Sequence, residues 1–339
     1  MRSYRLLLLC VVGLLSLSCR AFENPIKTVD GSDPFMVYQD GYYYLTTTTW
    51  SNIQISRGAA SDLNLQDLKT ATPKVIYSDT TASRCCNVCK WAPEIHWKSV
   101  EGAWYILLSF YLHRMHRYYV AGSASTLDDQ RIYTLKSSTT DIWASTWSYA
   151  GRIVIPNNDD WAIDPTVLIL SSGEYLVYSS FVGAYQCLWI AEFITATTVG
   201  NAYEISCPAY SWEEVGGNVE EGPAPLYHGG KTWLTFSASS CATSSYSLGK
   251  LELTGSSPLS ASSWYVPHSQ EPGGHTGHNG FFLSPSADEV WLVYHYSTSS
   301  AVACDGTRRT AVQPITFSSA GEPVFGTPDA LTTELVEPV

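Results

Sequence analysis

Three acidic residues stand in the same local context at the head of an apolar segment. Asp33 and Asp164 directly precede a proline, and Glu221 precedes Gly222-Pro223. A single Asp-Pro is most often a turn cap, but three acids placed alike indicate a shared role. Carboxyl groups held close together shift one another's protonation, so one is protonated while another is ionised. That combination is what acid–base cleavage of a glycosidic bond requires.

Each acid begins a unit made of a strand, a tight turn and an aromatic-rich return strand. After Asp164 come apolar residues 166–170, a turn at 171–173 and aromatic residues in 175–178. Five such units have heads at residues 33, 94, 164, 221 and 278, at steps of 61, 70, 57 and 57 residues. A repeat of this length built from strands and turns is typical of propellers. The sequence therefore predicts an all-β, five-bladed β-propeller in a single domain.

The alternative fold is a β-sandwich with hairpins that are alike by chance. Sandwiches do not usually repeat one polar head before one aromatic return strand, so the propeller is favoured. In a propeller the first strand of every blade lines the central channel, so the five heads meet at one mouth. They are Asp33, Glu94 or Ala92, Asp164, Glu221 and His278. The second head is ambiguous because aligning the prolines selects Ala92 and places Glu94 two positions deeper.

Composition narrows the class of ligand. Aromatic residues make up 13% of the chain, charged residues only 15%, and the net charge is −12. Aromatic side chains offer flat apolar faces to sugar rings. The acidic balance and the lack of a basic run exclude nucleic acid and anionic membranes as partners.

The first residues read as a secretory signal. Arg2 and Arg5 precede apolar residues 6–17, and small residues follow at a plausible cleavage site. We expect residues 1–21 to be a signal peptide and residues 22–339 to form the secreted, extracellular domain. A lipoprotein site at Cys19 fits less well, because Ser16 stands where such sites usually have leucine.

Seven cysteines remain after the signal. In an oxidising compartment they are expected to form disulfides rather than a zinc site, despite the Cys86-x-x-Cys89 spacing. Spacing does not fix the connectivity; we expect Cys187 to pair with Cys207 and Cys241 with Cys304. The odd thiol is expected in the 85–89 cluster.

In order and spacing, the five heads resemble glycoside hydrolase family 43 from residue 24 to about residue 325. The motifs are Ser32-Asp33-Pro34, Trp91-Ala92-Pro93-Glu94, Ile163-Asp164-Pro165, Glu221-Gly222-Pro223 and Gly277-His278-Asn279. The resemblance implies a five-bladed propeller of inverting enzymes that act on polysaccharides containing arabinose and xylose.

Carried over by position, the resemblance implies Asp33 as general base, Asp164 as the residue that tunes the acid's pKa, and Glu221 as general acid. Gly222-Pro223 sets this register on Glu221 rather than on the adjacent Glu220. His278 matches a channel histidine that in many relatives approaches a central ion, often calcium. Its alternative role is that of a histidine hydrogen-bonded inside the channel. No cofactor is implied for the chemistry itself.

Within the family, the segments around Asp33, Trp50 and Glu221 are similar to exo-acting α-1,5-L-arabinofuranosidases. Trp50 and Trp91 are candidate walls for a furanose ring, with core packing as the alternative role. Arg308 is a candidate for binding a sugar hydroxyl, or else a solvated loop charge beside Arg309.

The expected function is a secreted, monomeric, inverting hydrolase. It would release terminal arabinofuranose from α-1,5-linked arabinan and arabino-oligosaccharides. The expected partners are arabinan or arabinoxylan-type polysaccharide and oligosaccharides. The alternatives are an endo-1,5-α-L-arabinanase or a β-xylosidase of the same family, and a carbohydrate-binding propeller without catalysis.

Overall fold

The computed structural model describes residues 21–58, 65–78, 90–111, 130–266, 276–299 and 301–339. Within them, five antiparallel sheets follow one another along the chain, and the strands of each sheet are neighbours in sequence order. This is the predicted five-bladed propeller. We number the blades 1 to 5 in chain order and count the strands of each blade outward from the central channel.

The strand bounds agree with the predicted hairpins. Blades 1 and 2 consist of Ser32–Gln39, Tyr42–Thr48, Ile53–Arg57, Lys74–Tyr77, and of Lys90–Lys98, Ala103–Tyr111, Gln130–Ser137, Trp147–Arg152. Blades 3 and 4 consist of Ile163–Leu170, Gly173–Val182, Tyr185–Thr195, Thr198–Ser206, and of Glu220–His228, Lys231–Ala238, Ser247–Leu253, Trp264–Tyr265. Blade 5 contributes Thr276–Leu283, Val290–Tyr296 and Arg309–Pro314.

The remaining elements are short. Two further strand pairs join Ala21–Glu23 to Glu334–Val336 and Thr316–Phe317 to Pro323–Val324. Within the described residues, four short 3₁₀ helices occupy Leu65–Lys69, Ser99–Glu101, Ser211–Glu213 and Ala261–Ser263. The described structure is therefore almost wholly β, as the repeat of strands and turns predicts.

The core lies between blades rather than in one central layer. In the described part of the chain, buried apolar residues form five clusters, one at each contact between neighbouring blades. The second strand of blade 3 shows why: Leu176, Val177 and Tyr178 are successive residues, and all are fully buried. Successive side chains of a strand point to opposite faces, so a strand enclosed by two neighbours needs an unbroken apolar run.

A bulge at the same place in every first strand sets the direction of the head side chain. The pairing register with the second strand shifts at this point in all five blades. One residue at each bulge has a positive φ, and these residues are Asp33 (52°), Ala92 (46°), Asp164 (53°), Gly222 (56°) and His278 (42°). Positive φ costs a non-glycine residue about 1–2 kcal/mol, and bulges of this kind redirect side chains near functional sites.

These bulges correct the predicted alignment of the repeat. The head of blade 2 is Ala92, so the alignment on proline was right and Glu94 is not a head. In blade 4 the head is Gly222. The prediction that Glu221 shares the repeat position of Asp33 and Asp164 was therefore wrong, because Glu221 stands one residue earlier.

A polar residue of each second strand faces the residue before the head. These residues are Thr48, Ser109, Ser179, Ser237 and His295. Three of them accept a hydrogen bond from the backbone N–H of the next blade's head: Thr48 from Ala92 (2.8 Å), Ser237 from His278 (2.6 Å) and His295 from Asp33 (3.1 Å). In three of the five junctions, one blade thus fixes the backbone of the next blade's head.

The ring is closed by the chain's first described residues. Ile26 N–H donates to Thr310 O (3.0 Å), and Thr310 N–H donates to Lys27 O (3.0 Å). The Asn24 amide donates to Val312 O (2.8 Å) and accepts from Val312 N–H (3.0 Å). Residues 24–27 therefore supply blade 5 with its outer edge.

Both expected disulfides are present, Cys187–Cys207 and Cys241–Cys304. Cys85, Cys86 and Cys89 lie outside the described residues, as does the predicted signal up to residue 20. No helix in the described residues is long and apolar enough to cross a membrane.

Candidate active site

Three of the five heads, Asp33, Asp164 and His278, line a pocket with an empty volume of about 450 Å³. The pocket is lined by Asp33, Trp50, Trp91, Ile163, Asp164, Glu221, Cys241, His278, Cys304 and Arg308. The three predicted carboxylates therefore share one pocket. Glu94 is not among the lining residues; its carboxylate contacts His96 Nε2 at 2.8 Å.

Asp33 is surrounded by hydrogen-bond donors and positive charge. Its Oδ2 accepts a hydrogen bond from Thr48 Oγ1 (2.7 Å), and its Oδ1 lies 3.4 Å from His278 Nδ1 and 3.9 Å from Arg308. Burial disfavours the charge on this carboxylate, but the charges of His278 and Arg308 outweigh burial and hold its pKa well below the usual range. Asp33 is thus ionised across the physiological range.

His295 supports Asp33 as a neutral ring. Its Nδ1 accepts the Asp33 backbone N–H at 3.1 Å, so that nitrogen carries no proton. Burial and the neighbouring Arg308 lower the pKa of His295 to about 3. The 3.4 Å approach of His295 Nδ1 to Asp33 Oδ1 is therefore a packing contact and not an ion pair.

Asp164 has the opposite electrostatic environment. Its Oδ2 accepts the Gly222 backbone N–H at 3.0 Å and lies 3.6 Å from His278 Nδ1. Burial raises the pKa of Asp164, and the charges on Glu221 and Asp33 add to this effect, giving a value of about 8. Near neutral pH this carboxyl is mostly protonated.

Glu221 is held by residues from two blades. Gln186 Nε2 of blade 3 donates to its Oε2 (2.9 Å), and the Tyr246 hydroxyl of blade 4 donates to its Oε1 (2.9 Å). Burial raises the pKa of Glu221, although the two hydrogen bonds and His278 oppose the rise. The adjacent Glu220 does not line the pocket and instead accepts a hydrogen bond from Ser206 Oγ (3.0 Å), so of these two glutamates only Glu221 faces the pocket.

Two glycines allow this packing. Gly222 has a φ of 56°, and a Cβ there would come within 3.0 Å of the His278 ring. A Cβ on Gly277 would lie 2.2 Å from the Tyr246 ring. The Gly-Pro after Glu221 and the glycine before His278 therefore bring the acid, the histidine and the tyrosine into contact distance.

His278 lies between the carboxylates. Its Nδ1 is within 3.6 Å of oxygens of both Asp33 and Asp164. Burial opposes protonation of this ring, but Asp33, Asp164 and Glu221 prevail and raise its pKa.

The central ion predicted near His278 remains a prediction. Calcium requires six to eight oxygen ligands. Of the described residues, only Cys187, Glu204 and Cys207 place three potential metal-ligating atoms together, and the two cysteines form a disulfide. An ion at His278 would have to take most of its ligands from water, so we derive no chemical step from it.

The predicted sugar-binding residues all line the pocket. The rings of Trp50 and Trp91 stand edge to face with centroids 5.8 Å apart. Arg308 is only 5% exposed, so it is not a solvated loop charge. Its guanidinium donates to the carbonyls of Cys241 (2.9 Å) and Ala303 (3.1 Å), beside the Cys241–Cys304 disulfide. Arginine and disulfide together fix one wall of the pocket, across blades 4 and 5.

Sequence reasoning missed Gln186, Tyr246, His295 and Thr48. Gln186 and Tyr246 carry no repeat signal, because they lie on third strands or loops and reach Glu221 only through folding. Thr48 and His295 do carry one, since each belongs to the set of polar residues that end the second strands. Comparing those strand ends across the five units could have identified both.

The comparison with known proteins agrees with this geometry. The family model of glycosyl hydrolases family 43 matches residues 22–323. An extracellular exo-α-(1→5)-L-arabinofuranosidase of Streptomyces avermitilis is 32% identical over 91% of this chain, which spans 64% of that protein's length. A second enzyme of that name, from Streptomyces chartreusis, is 28% identical over 81% of this chain and 82% of its own.

Solved structures give the same result for the fold. The α-L-arabinofuranosidase of Lactobacillus brevis superposes with a TM-score of 0.80 at 27% identity, covering 92% of this chain and 98% of its own. A thermostable family-43 glycoside hydrolase, 18% identical, superposes with a TM-score of 0.72 over 93% of this chain and 99% of its own; at that identity the likeness shows the fold alone.

Proposed function

The chain belongs to family 43 of the glycosyl hydrolases, and on this premise we propose that it is an inverting exo-α-1,5-L-arabinofuranosidase. The observation that carries the proposal is the split in protonation among three carboxyls in one pocket. Asp33 is held ionised, whereas the pKa values of Asp164 and Glu221 are raised. One ionised and one protonated carboxyl, placed in a pocket with aromatic walls, meet the requirement for glycoside cleavage.

We propose that Asp33 is the general base and Glu221 the general acid. Asp33 takes a proton from the attacking water, which approaches the anomeric carbon from the face opposite the leaving group. Glu221 gives its proton to the departing glycosidic oxygen. Attack and departure on opposite faces invert the anomeric centre.

Asp164 is proposed to keep the acid protonated. Burial raises the pKa of both Asp164 and Glu221, and the two are close enough to shift each other's ionisation, so the pair retains a proton near neutral pH. His278, between Asp33 and Asp164, supplies the compensating positive charge. No metal or organic cofactor is needed for these steps.

Terminal arabinofuranose of arabinan or arabinoxylan-type chains and their oligosaccharides is the proposed substrate. The relatives from Streptomyces are named for release of this sugar, and Trp50, Trp91 and Arg308 line the pocket that would receive it. We also propose that the protein is a secreted monomer with one domain over residues 22–339. The disulfides Cys187–Cys207 and Cys241–Cys304 and the extracellular relatives support an oxidising destination.

The roles are tested by Asp33→Ala and Glu221→Ala, assayed on linear α-1,5-arabinan. Each variant should lose at least about a hundredfold in kcat, in keeping with removal of a general acid or base. Retention of most activity by either variant would overturn the assignment. A proton NMR time course checks the stereochemistry: the first product should be the inverted anomer, and a retained anomer rejects the mechanism.

Product size separates this proposal from its rivals. Monomeric arabinose alone means exo action, and a ladder of oligomers means an endo-arabinanase. Release of xylose from xylo-oligosaccharides, without arabinose from arabinan, would mean a β-xylosidase. A binding propeller would release no reducing sugar from any of these substrates.

A further inference from the structure

A pair of aromatic rings beside the pocket, one exposed and one half-buried, has no part in the site described above. Phe181 is the penultimate residue of the second strand of blade 3 and is 46% exposed. Its ring lies 4.5 Å from that of Trp161, which precedes the first strand of the same blade. We call these two residues the Trp161–Phe181 ledge. An exposed apolar patch at the mouth of a polar pocket is a sign of ligand contact.

Strand pairing places the ledge next to Glu221. Phe181 is the cross-strand partner of Gln186, so the two side chains share one face of the hairpin with Cβ atoms about 5 Å apart. Gln186 Nε2 is itself 2.9 Å from Glu221 Oε2. Ser179, two residues before Phe181 and on the same face, donates to Glu220 O at 2.6 Å. This face of blade 3 therefore looks onto the strand that carries Glu221.

The position next to Glu221 defines which part of a substrate the ledge would meet. Glu221, as proposed general acid, must touch the oxygen of the departing group. A protein surface beside Glu221 at the mouth of the pocket therefore contacts the departing part of the substrate, and not the terminal sugar held in the pocket.

The neighbouring charges favour a neutral sugar over an acidic one. Asp160, directly before Trp161, has a side chain that is 83% exposed, whereas its ion-pair partner Arg131, 4.0 Å away, is buried, so the charge that faces solvent here is negative. A uronic acid at the ledge would meet this carboxylate, whereas a neutral pentose offers C–H faces for the rings and hydroxyls for Asp160.

We propose that the Trp161–Phe181 ledge binds a neutral pentose unit of the departing chain, on the leaving-group side of the cleaved bond. This inference rests on the proposed function, because it takes Glu221 as the acid. The ledge then raises the rate on oligosaccharides relative to substrates whose leaving group is not a sugar.

The test compares two substrates in the full-length protein. α-1,5-L-Arabinotriose has sugars that reach the ledge, whereas α-L-arabinofuranosyl fluoride has a single-atom leaving group that cannot. Phe181→Ala should lower kcat/KM on arabinotriose about tenfold, equivalent to one aromatic contact, and change kcat/KM on the fluoride less than twofold. Phe181→Tyr, which keeps the ring, should restore arabinotriose cleavage.

Tyr185→Ala is the matched control. Tyr185 is an exposed aromatic residue of the same hairpin and pairs with Val182, so it points to the opposite face from Phe181 and Gln186. The control should act on both substrates like the wild type. If Phe181→Ala leaves arabinotriose cleavage intact, or weakens both substrates equally, the ledge is not a leaving-side site.

Failure of the proposed function gives a different result. If the wild-type protein cleaves neither arabinotriose nor the fluoride, then the assigned activity is wrong. The proposed role of the ledge, which depends on that activity, is then rejected as well. If the wild type cleaves both and the Phe181 variant matches it on both, only the ledge is rejected.

Discussion

At the scale of single residues, the site depends on carboxyls made unlike by their neighbours. Asp33 and Asp164 occupy the same repeat position and have the same positive φ. Asp33 receives a hydroxyl donor and lies near both His278 and Arg308. Asp164 receives one backbone N–H and lies close to two other carboxyls. The same residue type in the same strand position is therefore ionised in one blade and protonated in another.

Removing the Tyr246 hydroxyl should move the alkaline limit of activity to higher pH. The hydroxyl donates to the Glu221 carboxylate at 2.9 Å and so favours its ionised form. Without that bond the pKa of the Asp164–Glu221 pair rises, and a hydrogen bond to a charged group corresponds to about one pH unit. We expect the alkaline limb of kcat/KM against pH to shift upward by that amount in Tyr246→Phe. A downward shift would contradict the hydrogen bond as assigned.

Asp164→Asn should make stability less dependent on pH. Asp164 has a pKa of about 8 in the folded protein, against 3.8 for an ordinary aspartate. The folded state therefore binds more protons than the unfolded state between these values, so wild-type stability falls as pH rises through that window. Asparagine does not titrate and can still accept the Gly222 N–H. The Tm of the variant relative to the wild type should accordingly rise from pH 4 to pH 8, while its activity falls.

The control for this prediction is Asp159→Asn. Asp159 pairs with Arg152 at the surface, and surface pairs contribute little. Its Tm should follow the wild-type curve. Parallel curves for Asp164→Asn and wild type would show that Asp164 ionises normally in the folded protein.

At the scale of strands, the repeated unit includes the link between blades as well as the hairpin. The bulge turns each head towards the pocket, and a polar residue of the preceding blade's second strand accepts the head N–H in three of the five junctions. Ser109 occupies the equivalent place in blade 2, but its hydroxyl is buried with no hydrogen-bond partner among the described residues.

This contrast gives a matched pair of substitutions. Ser237→Ala leaves the buried His278 N–H without its acceptor, which costs about 1–3 kcal/mol of unfolding free energy. Ser109→Ala removes a hydroxyl that makes no described hydrogen bond and should be neutral or slightly stabilising. Urea unfolding followed by tryptophan fluorescence measures both. Equal losses would show that the junction hydrogen bond does not stabilise the ring.

At the scale of the whole molecule, ring closure depends on a few contacts between distant parts of the chain. The buried Asn24 side chain makes two hydrogen bonds to Val312, 288 residues away. Phe22 and Ile26 pack in the cluster between blades 5 and 1. The first residues of the domain therefore belong to its last blade, and the blades form one closed unit.

Asn24→Ala should lower the free energy of unfolding by about 2–4 kcal/mol, because it leaves the buried N–H and C=O of Val312 without hydrogen-bond partners. Asn157→Ala is the control: Asn157 makes the same two bonds to Ala202, at 2.9 and 2.7 Å, but is exposed. Water can replace its bonds, so the loss should be less than about 1 kcal/mol. Similar losses of stability for the two variants would mean that the hydrogen bonds of Asn24 contribute no more to stability than those of the exposed Asn157.

The sequence alone determined the number of blades, the hairpins and the identity of the three carboxyls. These follow from local chemistry. Turn residues separate the apolar runs, and the head residue of each first strand directly precedes a proline or an asparagine. The turn at 171–173 and the strands around it are recognisable because every interaction that forms them lies within about twenty residues. The pairing of Cys187 with Cys207 and of Cys241 with Cys304 was predicted correctly as well.

The tertiary structure decided the register of the repeat and the chemistry of each carboxyl. Glu221 lies one residue before its blade's head, because the bulge in blade 4 falls on Gly222. Gln186 and Tyr246 reach Glu221 from strands or loops 35 and 25 residues away, and Arg308 reaches Asp33 across the closed ring. Protonation depends on burial and on charges brought together from all parts of the chain. Residue order fixes which groups are available, but only ring closure fixes the distances between them.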